Sequence, residues 1–152
     1  ARASTRAMVM GSGPSATPYV GLKGEQTVQV EIVAQRDGSG QFPVRQGVAL
    51  RAKDRIRFVV EPGTYNYLLV GSLDGSGQFT VYHPFDGQES APAVRGELPG
   101  SIELDDSKGL ERVVAILSNE KMSAEALESA MRNKTALTWP GSKVTEWSFA
   151  KE

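Results

Sequence analysis

QTVQVEIVAQ, residues 26–35, runs almost directly into DGSGQF, residues 37–42, and these two pieces decide the fold class. Side chains along an extended chain alternate between faces, so Val28, Val30, Ile32 and Ala34 share one side while Gln29, Glu31 and Val33 share the other. The pattern is that of a half-buried strand. Asp-Gly and Ser-Gly then supply the left-handed backbone positions of a tight turn, which makes a hairpin the expected continuation.

The same reading extends outward. DGSGQF recurs at residues 74–79, again between strand-like segments. A short VAL piece and a turn at residues 52–54 precede RIRFVVEP, where Ile56, Phe58 and Val60 point one way and Arg55 and Arg57 the other. YNYLLVGSLD is a strongly apolar strand, and in QFTVYHP Phe79, Val81 and His83 oppose Thr80 and Tyr82. SIELDD is a short strand. ERVVAILS carries apolar residues on both faces, Val113, Ala115 and Leu117 against Val114 and Ile116, as a strand covered on both sides does. VTEWSFAK alternates once more, Val144, Glu146 and Ser148 against Thr145, Trp147 and Phe149. One helix stands out late in the chain: Ser123 caps it, Glu125 lies in its first turn, and Ala124, Leu127, Ala130 and Met131 form its apolar stripe. Short strands with turns every 8–12 residues or so predict a mainly β fold. The expected form is an antiparallel β-sandwich of immunoglobulin-like kind with one late helix.

Residues 1–24 show neither period and are rich in Ala, Ser, Thr, Gly and Pro, so they read as an extended arm or linker ahead of one sandwich domain at 25–152. At 152 residues the chain has enough material for one core without metals or disulfides. It contains no cysteine, which removes thiolate nucleophiles, disulfides and cysteine-based metal sites. Formal net charge is -1, so no global basic field draws in nucleic acid or an anionic membrane. The charge is unevenly spread. Residues 1–60 hold nine Lys/Arg against four Asp/Glu, a net of +5, and residues 61–152 carry a net of -6. Such asymmetry can favour head-to-tail packing between copies, but the simpler reading, in which folding interleaves the two halves, carries more weight. No apolar run approaches the roughly 20 residues of a membrane span.

Residues able to carry chemistry are few. His83 is the only histidine. With Asp86 or Asp105 and a serine it formally completes a Ser-His-Asp set, but no G-x-S-x-G elbow presents a nucleophile. Glu103, Asp105 and Asp106 form the densest acidic group, read as a solvated strand end rather than an acid/base pair. Each DGSG loop brings one carboxylate, whereas calcium takes six to eight oxygens. GSGPSA lacks the preceding strand and the lysine of a phosphate loop. Arg51, Lys53, Arg55 and Arg57 are basic without the interleaved aromatics that single-strand binders use. No catalytic residue, cofactor or metal is therefore expected, and no nucleic acid. The partner called for is protein, and its candidate contacts are Met8, Val9, Met10, Tyr19 and Val20 of the arm. Tyr65, Tyr67 and Tyr82 are a second candidate surface, which if exposed would form a platform for glycan or peptide, while cross-strand packing in the sheet interior is the reading their residue type favours.

The stretch from DRIRF (residues 54–58) through YNYLLVGSLDGSG, VYHP and LPGSIELD (residues 98–105) resembles a bacterial domain family of unknown function, over about residues 22–130. That family shares a D-R-x-R-F strand, a Tyr-rich strand ending S-x-D-G-x-G, a V-Y-x-P turn and an L-P-G-S-I-x-L-D block. Its members occur beside caspase-like peptidases, protein kinases and anti-sigma proteins. The resemblance implies an extracytoplasmic, envelope-associated location in the periplasm or at the cell surface, and brings no catalytic residue with it.

Overall fold

The computed structural model describes residues 27–38, 40–45, 47–133 and 137–152. The arm at 1–24, with its candidate contacts Met8, Val9, Met10, Tyr19 and Val20, lies outside the described residues. From there the chain forms β1 (Gln29–Arg36), β2 (Gly40–Pro43), β3 (Ala49–Leu50), β4 (Arg55–Glu61), β5 (Tyr67–Leu73), β6 (Phe79–His83), β7 (Ala91–Pro92), β8 (Gly96–Glu97), β9 (Ile102–Glu103), β10 (Gly109–Ser118), α1 (Ala124–Asn133) and β11 (Ser142–Lys151). Among the described residues the fold is mainly β, with two sheets and a single late helix, and no barrel.

One sheet runs β2-β1-β4-β8, with β9 also on β4, and the other runs β3-β11-β10-β5-β6, with β7 also on β5. All pairings are antiparallel except β3 with β11. The two sheets face each other across one core. Val30, Ile32, Ala34, Ile56, Phe58 and Val60 enter it from the first sheet, and Leu68, Val70, Val113, Ala115, Leu117, Trp147 and Phe149 from the second. The alternation in β1 and β4 therefore points as the sequence implies. Arg55 and Arg57 face outward, where they meet Asp37 at 3.4 Å and Glu97 at 3.0 Å.

β10 lies between β11 and β5 and is buried on both faces. Its outer face packs under α1, where Leu127 and Met131 close over Leu69, Val114 and Ile116. The Ser123 hydroxyl accepts the Ala126 N–H at 3.1 Å and caps the helix. The helix can press this close because β5 has no side chain beneath it at Gly71. A Cβ there would stand 2.7 Å from Leu127 Cδ2 and 2.9 Å from Phe79 Cζ. At the other helix end, Arg112 reaches the Met131 carbonyl at 3.3 Å while pairing with Glu146 at 2.9 Å.

Both DGSG loops are hairpin turns. The first joins β1 to β2, with Arg36 opposite Gly40, and the second joins β5 to β6, with Leu73 opposite Phe79. Asp74 organises the second: its Oδ1 accepts the Ser76 N–H at 2.9 Å, the Ser76 hydroxyl at 2.7 Å and the Gln78 N–H at 2.9 Å. Gly77, at φ 89°, supplies the left-handed step.

Candidate functional site

Two features of this frame could serve function. One is a charged cluster inside the sandwich, and the other is an open sheet edge.

The cluster forms at the end where β1, β5 and β11 finish and β4 and β10 begin. Extending the inward-facing series past its apolar members brings polar residues into the core. Leu68 and Val70 are followed by Ser72, Val113 is preceded by Glu111, and Trp147 and Phe149 are followed by Lys151. Ser72, Glu111 and Lys151 are all buried, at 2%, 1% and 6% exposure. The Glu111 carboxylate accepts from the Ser72 hydroxyl, from the Tyr82 hydroxyl at 2.5 Å and from the Lys151 ammonium at 3.2 Å. Lys151 Nζ also donates to Asp105 Oδ1 at 2.6 Å. Asp105 reaches in from the segment after β9 with its carboxylate largely in solvent.

The electrostatics follow from these contacts. Burial works against the charged form of Lys151, but the hydrogen bond it donates to Asp105 and the carboxylate of Glu111 outweigh it and raise the ammonium above its ordinary pKa of 10.5. The Lys151 hydrogen bond holds Asp105 below its ordinary value of 3.8. Burial and the adjacent Glu111 charge push the Tyr82 phenol far above its usual range. Nearby, Arg36 grips Asp54 through two hydrogen bonds, at 3.0 and 2.8 Å, while stacking 5.2 Å above the Phe42 ring. Burial opposes the Asp54 charge, yet the Arg36 hydrogen bond and the Arg51 N–H carry the balance and lower its pKa. Each buried charge here is matched by an opposite charge with hydrogen bonds, the condition under which burying it is tolerated.

The sequence candidates fall in different places. Asp105 is not a merely solvated strand end, because it caps a buried lysine. Tyr82 does not share a platform with Tyr65 and Tyr67: its ring lies 6.4 Å from that of Phe58 in the core and its hydroxyl is spent on Glu111. Tyr65 packs partly against the same core, and Tyr67 sits opposite Pro92 and Ser118 at the far end of the sandwich. His83 ends β6, half-buried, with its pKa lowered by desolvation, and no ion pair or hydrogen bond ties it to Asp86 or Asp105. Among the described residues no group of three or more His, Cys, Asp or Glu is placed to hold a metal ion, and no helix is long and apolar enough to cross a membrane.

The open edge belongs to β11. On the side away from β10, β3 pairs only with Ala150 and Lys151, and the Gly47 N–H reaches Ser148 O at 3.4 Å. That bond fixes which backbone groups point outward, because a strand's N–H and C=O groups alternate sides residue by residue. Like those of Ser148, the N–H and C=O of Val144 and Glu146 face away from β10. Among the described residues no strand pairs with them. Beside this edge, on the outer face of the sheet, lies a groove of about 340 Å³ lined by Leu137, Thr138, Trp139, Ser142, Val144 and Glu146.

In comparisons with known proteins, the chain matches no family model, no curated sequence and no solved structure.

Proposed function

We propose that this chain is a non-catalytic interaction or structural module that acts outside the cytoplasm, as a subunit or accessory domain of a bacterial cell-envelope assembly. The observation that carries the reading is the half of β11 with no strand partner among the described residues, beside a groove of mixed polar and apolar lining. A sheet edge with unpaired N–H and C=O groups is a template for another chain, and strand addition is one recurring use of such an edge. The residues behind the family resemblance fit a scaffolding role. Asp54 anchors Arg36, Phe58 and Leu98 fill the core, and Asp105 holds Lys151. An immunoglobulin-like form of the sandwich belongs to the same reading, supported by two sheets sharing one core. A glycan or peptide platform would have to rest on Tyr65 and Tyr67, since the Tyr82 hydroxyl is engaged with Glu111.

Cell fractionation of a tagged copy expressed from its own gene tests the location, and co-purification at fixed stoichiometry tests the assembly. Recovery with envelope proteins outside the cytoplasm is expected. A solitary cytoplasmic chain would end this reading, and selective retention of one sugar on a glycan array would replace it with the platform.

A further inference from the structure

We propose that Lys151 and Asp105 join in an intramolecular isopeptide bond, formed by the chain itself with Glu111 as proton carrier, which straps β11 to the segment after β9. The bond belongs to the charged cluster rather than to the open edge, and does not depend on where the domain acts. Three features of the cluster go beyond what an ion pair needs. The first is placement. Lys151 Nζ lies 2.6 Å from Asp105 Oδ1, so the carboxyl carbon is one bond length beyond that contact. Backbone holds both partners there. Lys151 pairs with Gly109 of β10 on one side and Leu50 of β3 on the other. Leu104, next to Asp105, bonds Asp54 O through its N–H and Lys53 N–H through its carbonyl, each at 2.9 Å. Groups fixed in contact react as if highly concentrated, with effective molarities that reach about 10⁵–10⁸ M.

The second feature is how Glu111 is held. The Ser72 and Tyr82 hydroxyls both donate to its Oε2, while Oε1 faces the Lys151 ammonium at 3.2 Å. One oxygen anchors the carboxylate and the other meets the nitrogen that must lose protons, as a general base requires. The third is a one-sided environment. The Lys151 and Glu111 side chains are 4% and 2% exposed, against 60% for Asp105. Nitrogen and base are shielded from water, and the carboxyl opens outward for its leaving group. The Ser107 N–H donates to Oδ1 at 3.0 Å and stabilises the charge that gathers on that oxygen during attack. The ammonium gives one proton to Glu111, and the free amine attacks Asp105 Cγ. As the Cγ–Nζ bond forms, nitrogen gives up a second proton. Glu111 passes both protons to Oδ2, and the Cγ–Oδ2 bond breaks to release water. One ammonium and one carboxylate become one amide and one water, Glu111 returns to its ionised form, and nothing is oxidised or reduced. The amide N–H replaces the ammonium as donor to Glu111, and the interior loses a charge that is costly to bury. In a chain without cysteine, a strap across 46 positions restrains the unfolded state as a disulfide would. The ion pair described above, with its response to pH, belongs to the newly folded chain before linkage.

The test is the intact mass of the full chain, folded, incubated and then denatured for measurement. It should fall one water below the mass of the sequence, and proteolysis should yield a branched fragment joining the Lys151 and Asp105 peptides through their side chains. Asp105→Ala, at the exposed partner, should keep its full mass and melt below the linked chain. Glu111→Gln should keep its full mass while folded, because an amide cannot take up the protons. If that variant does not fold, Asp105→Ala still answers. The Asp-Gly pairs at 37–38, 74–75 and 86–87 can lose water by closing on their own backbone, so the branched fragment decides rather than the mass alone. A folded full chain at its unmodified mass overturns the inference, as does a water loss that maps to one of those pairs or persists in Asp105→Ala. Linkage that persists in Glu111→Gln overturns the part given to Glu111.

Discussion

The middle of the sandwich and its charged end are built by the same strands, in the same register, with opposite chemistry. In the middle, Phe58, Val113, Ala115 and Phe149 meet with nothing but carbon between them. A few residues along β10, β5 and β11, the same inward series presents Glu111, Ser72 and Lys151. Apolar burial is non-directional and tolerates imprecision, at roughly 25 cal/mol per Å² removed from water. The charged end has no such latitude. Glu111 is stable in the interior only while three donors surround it, and Lys151 only while two carboxylates do. One region is held by area and the other by completeness.

That difference predicts opposite responses to single and paired changes. Glu111→Ala leaves Lys151 buried against its remaining partner and strands two hydroxyls, and breaking a buried pair this way typically costs about 3–5 kcal/mol. Glu111→Leu combined with Lys151→Met removes both charges and should recover most of that loss, because an apolar replacement of a buried pair is often neutral or stabilising. Denaturant unfolding of the two variants measures it. A double variant no better than the single would mean that the cluster is not a coupled pair.

In the middle, no second substitution of that kind exists. Phe58→Ala should cost about 3–5 kcal/mol by transfer and cavity terms together. Arg57→Ala, on the opposite face of the same strand, should cost less than about 1 kcal/mol, as exposed ion pairs do. Equal losses for the two would place the alternation of β4 in the wrong register.

Changing pH leaves the apolar middle untouched and acts on the ionisable groups. Asp105 and Asp54 have folded pKa values below their ordinary 3.8, so their contribution is present above that value and is lost as pH falls through the folded values. Lys151, raised above 10.5, contributes below that value and loses its contribution as pH climbs through the folded one. His83, lowered from 6.5 by burial, adds an earlier decline on the acid side as the unfolded chain takes up its proton first. Stability measured against pH should be flat near neutrality, ease below about 6.5 and fall steeply below about 4. In Asp105→Asn with Asp54→Asn the steep limb should shrink while the shallow one remains.

Much of the fold was legible in the sequence because alternation is a local rule. β1, β4, β10 and the cap at Ser123 could be placed from residue type and spacing alone. The charged end was legible in principle by the same rule. Glu111 precedes Val113 by two and Lys151 follows Phe149 by two, so parity puts both inside, but an expectation that charges sit outside overrides parity at strand ends. What no local rule supplies is the pairing of distant residues. Asp105 reaches Lys151 across 46 positions and Tyr82 reaches Glu111 across 29, through sheet registers fixed only when the whole chain closes. The edge of β11 was hidden for the same reason, since an unpaired strand side is defined by which other strands stop short.

The smallest expected effect contrasts regions that share one sequence. Both DGSGQF copies make hairpins, yet their aspartates do different work. Asp74 turns inward on its own loop and accepts three hydrogen bonds there. Although burial opposes its charge, the Ser76 hydroxyl and the loop N–H groups more than offset this and lower its pKa. The Asp37 carboxylate is 88% exposed and, among the described residues, meets Arg55 at 3.4 Å. Asp74→Ala should therefore cost about 1 kcal/mol, the usual net worth of a lost local hydrogen-bond set, and Asp37→Ala almost nothing. The same geometry bears on calcium. A single carboxylate per loop falls well short of the six to eight oxygens the ion takes, and Asp74 Oδ1 is already occupied by protein donors. Calorimetric titration with calcium should give no heat and no rise in melting temperature. A micromolar transition lost in Asp74→Ala but kept in Asp37→Ala would show that the loop opens its aspartate to the ion, and that the two copies differ in function as well as in stability.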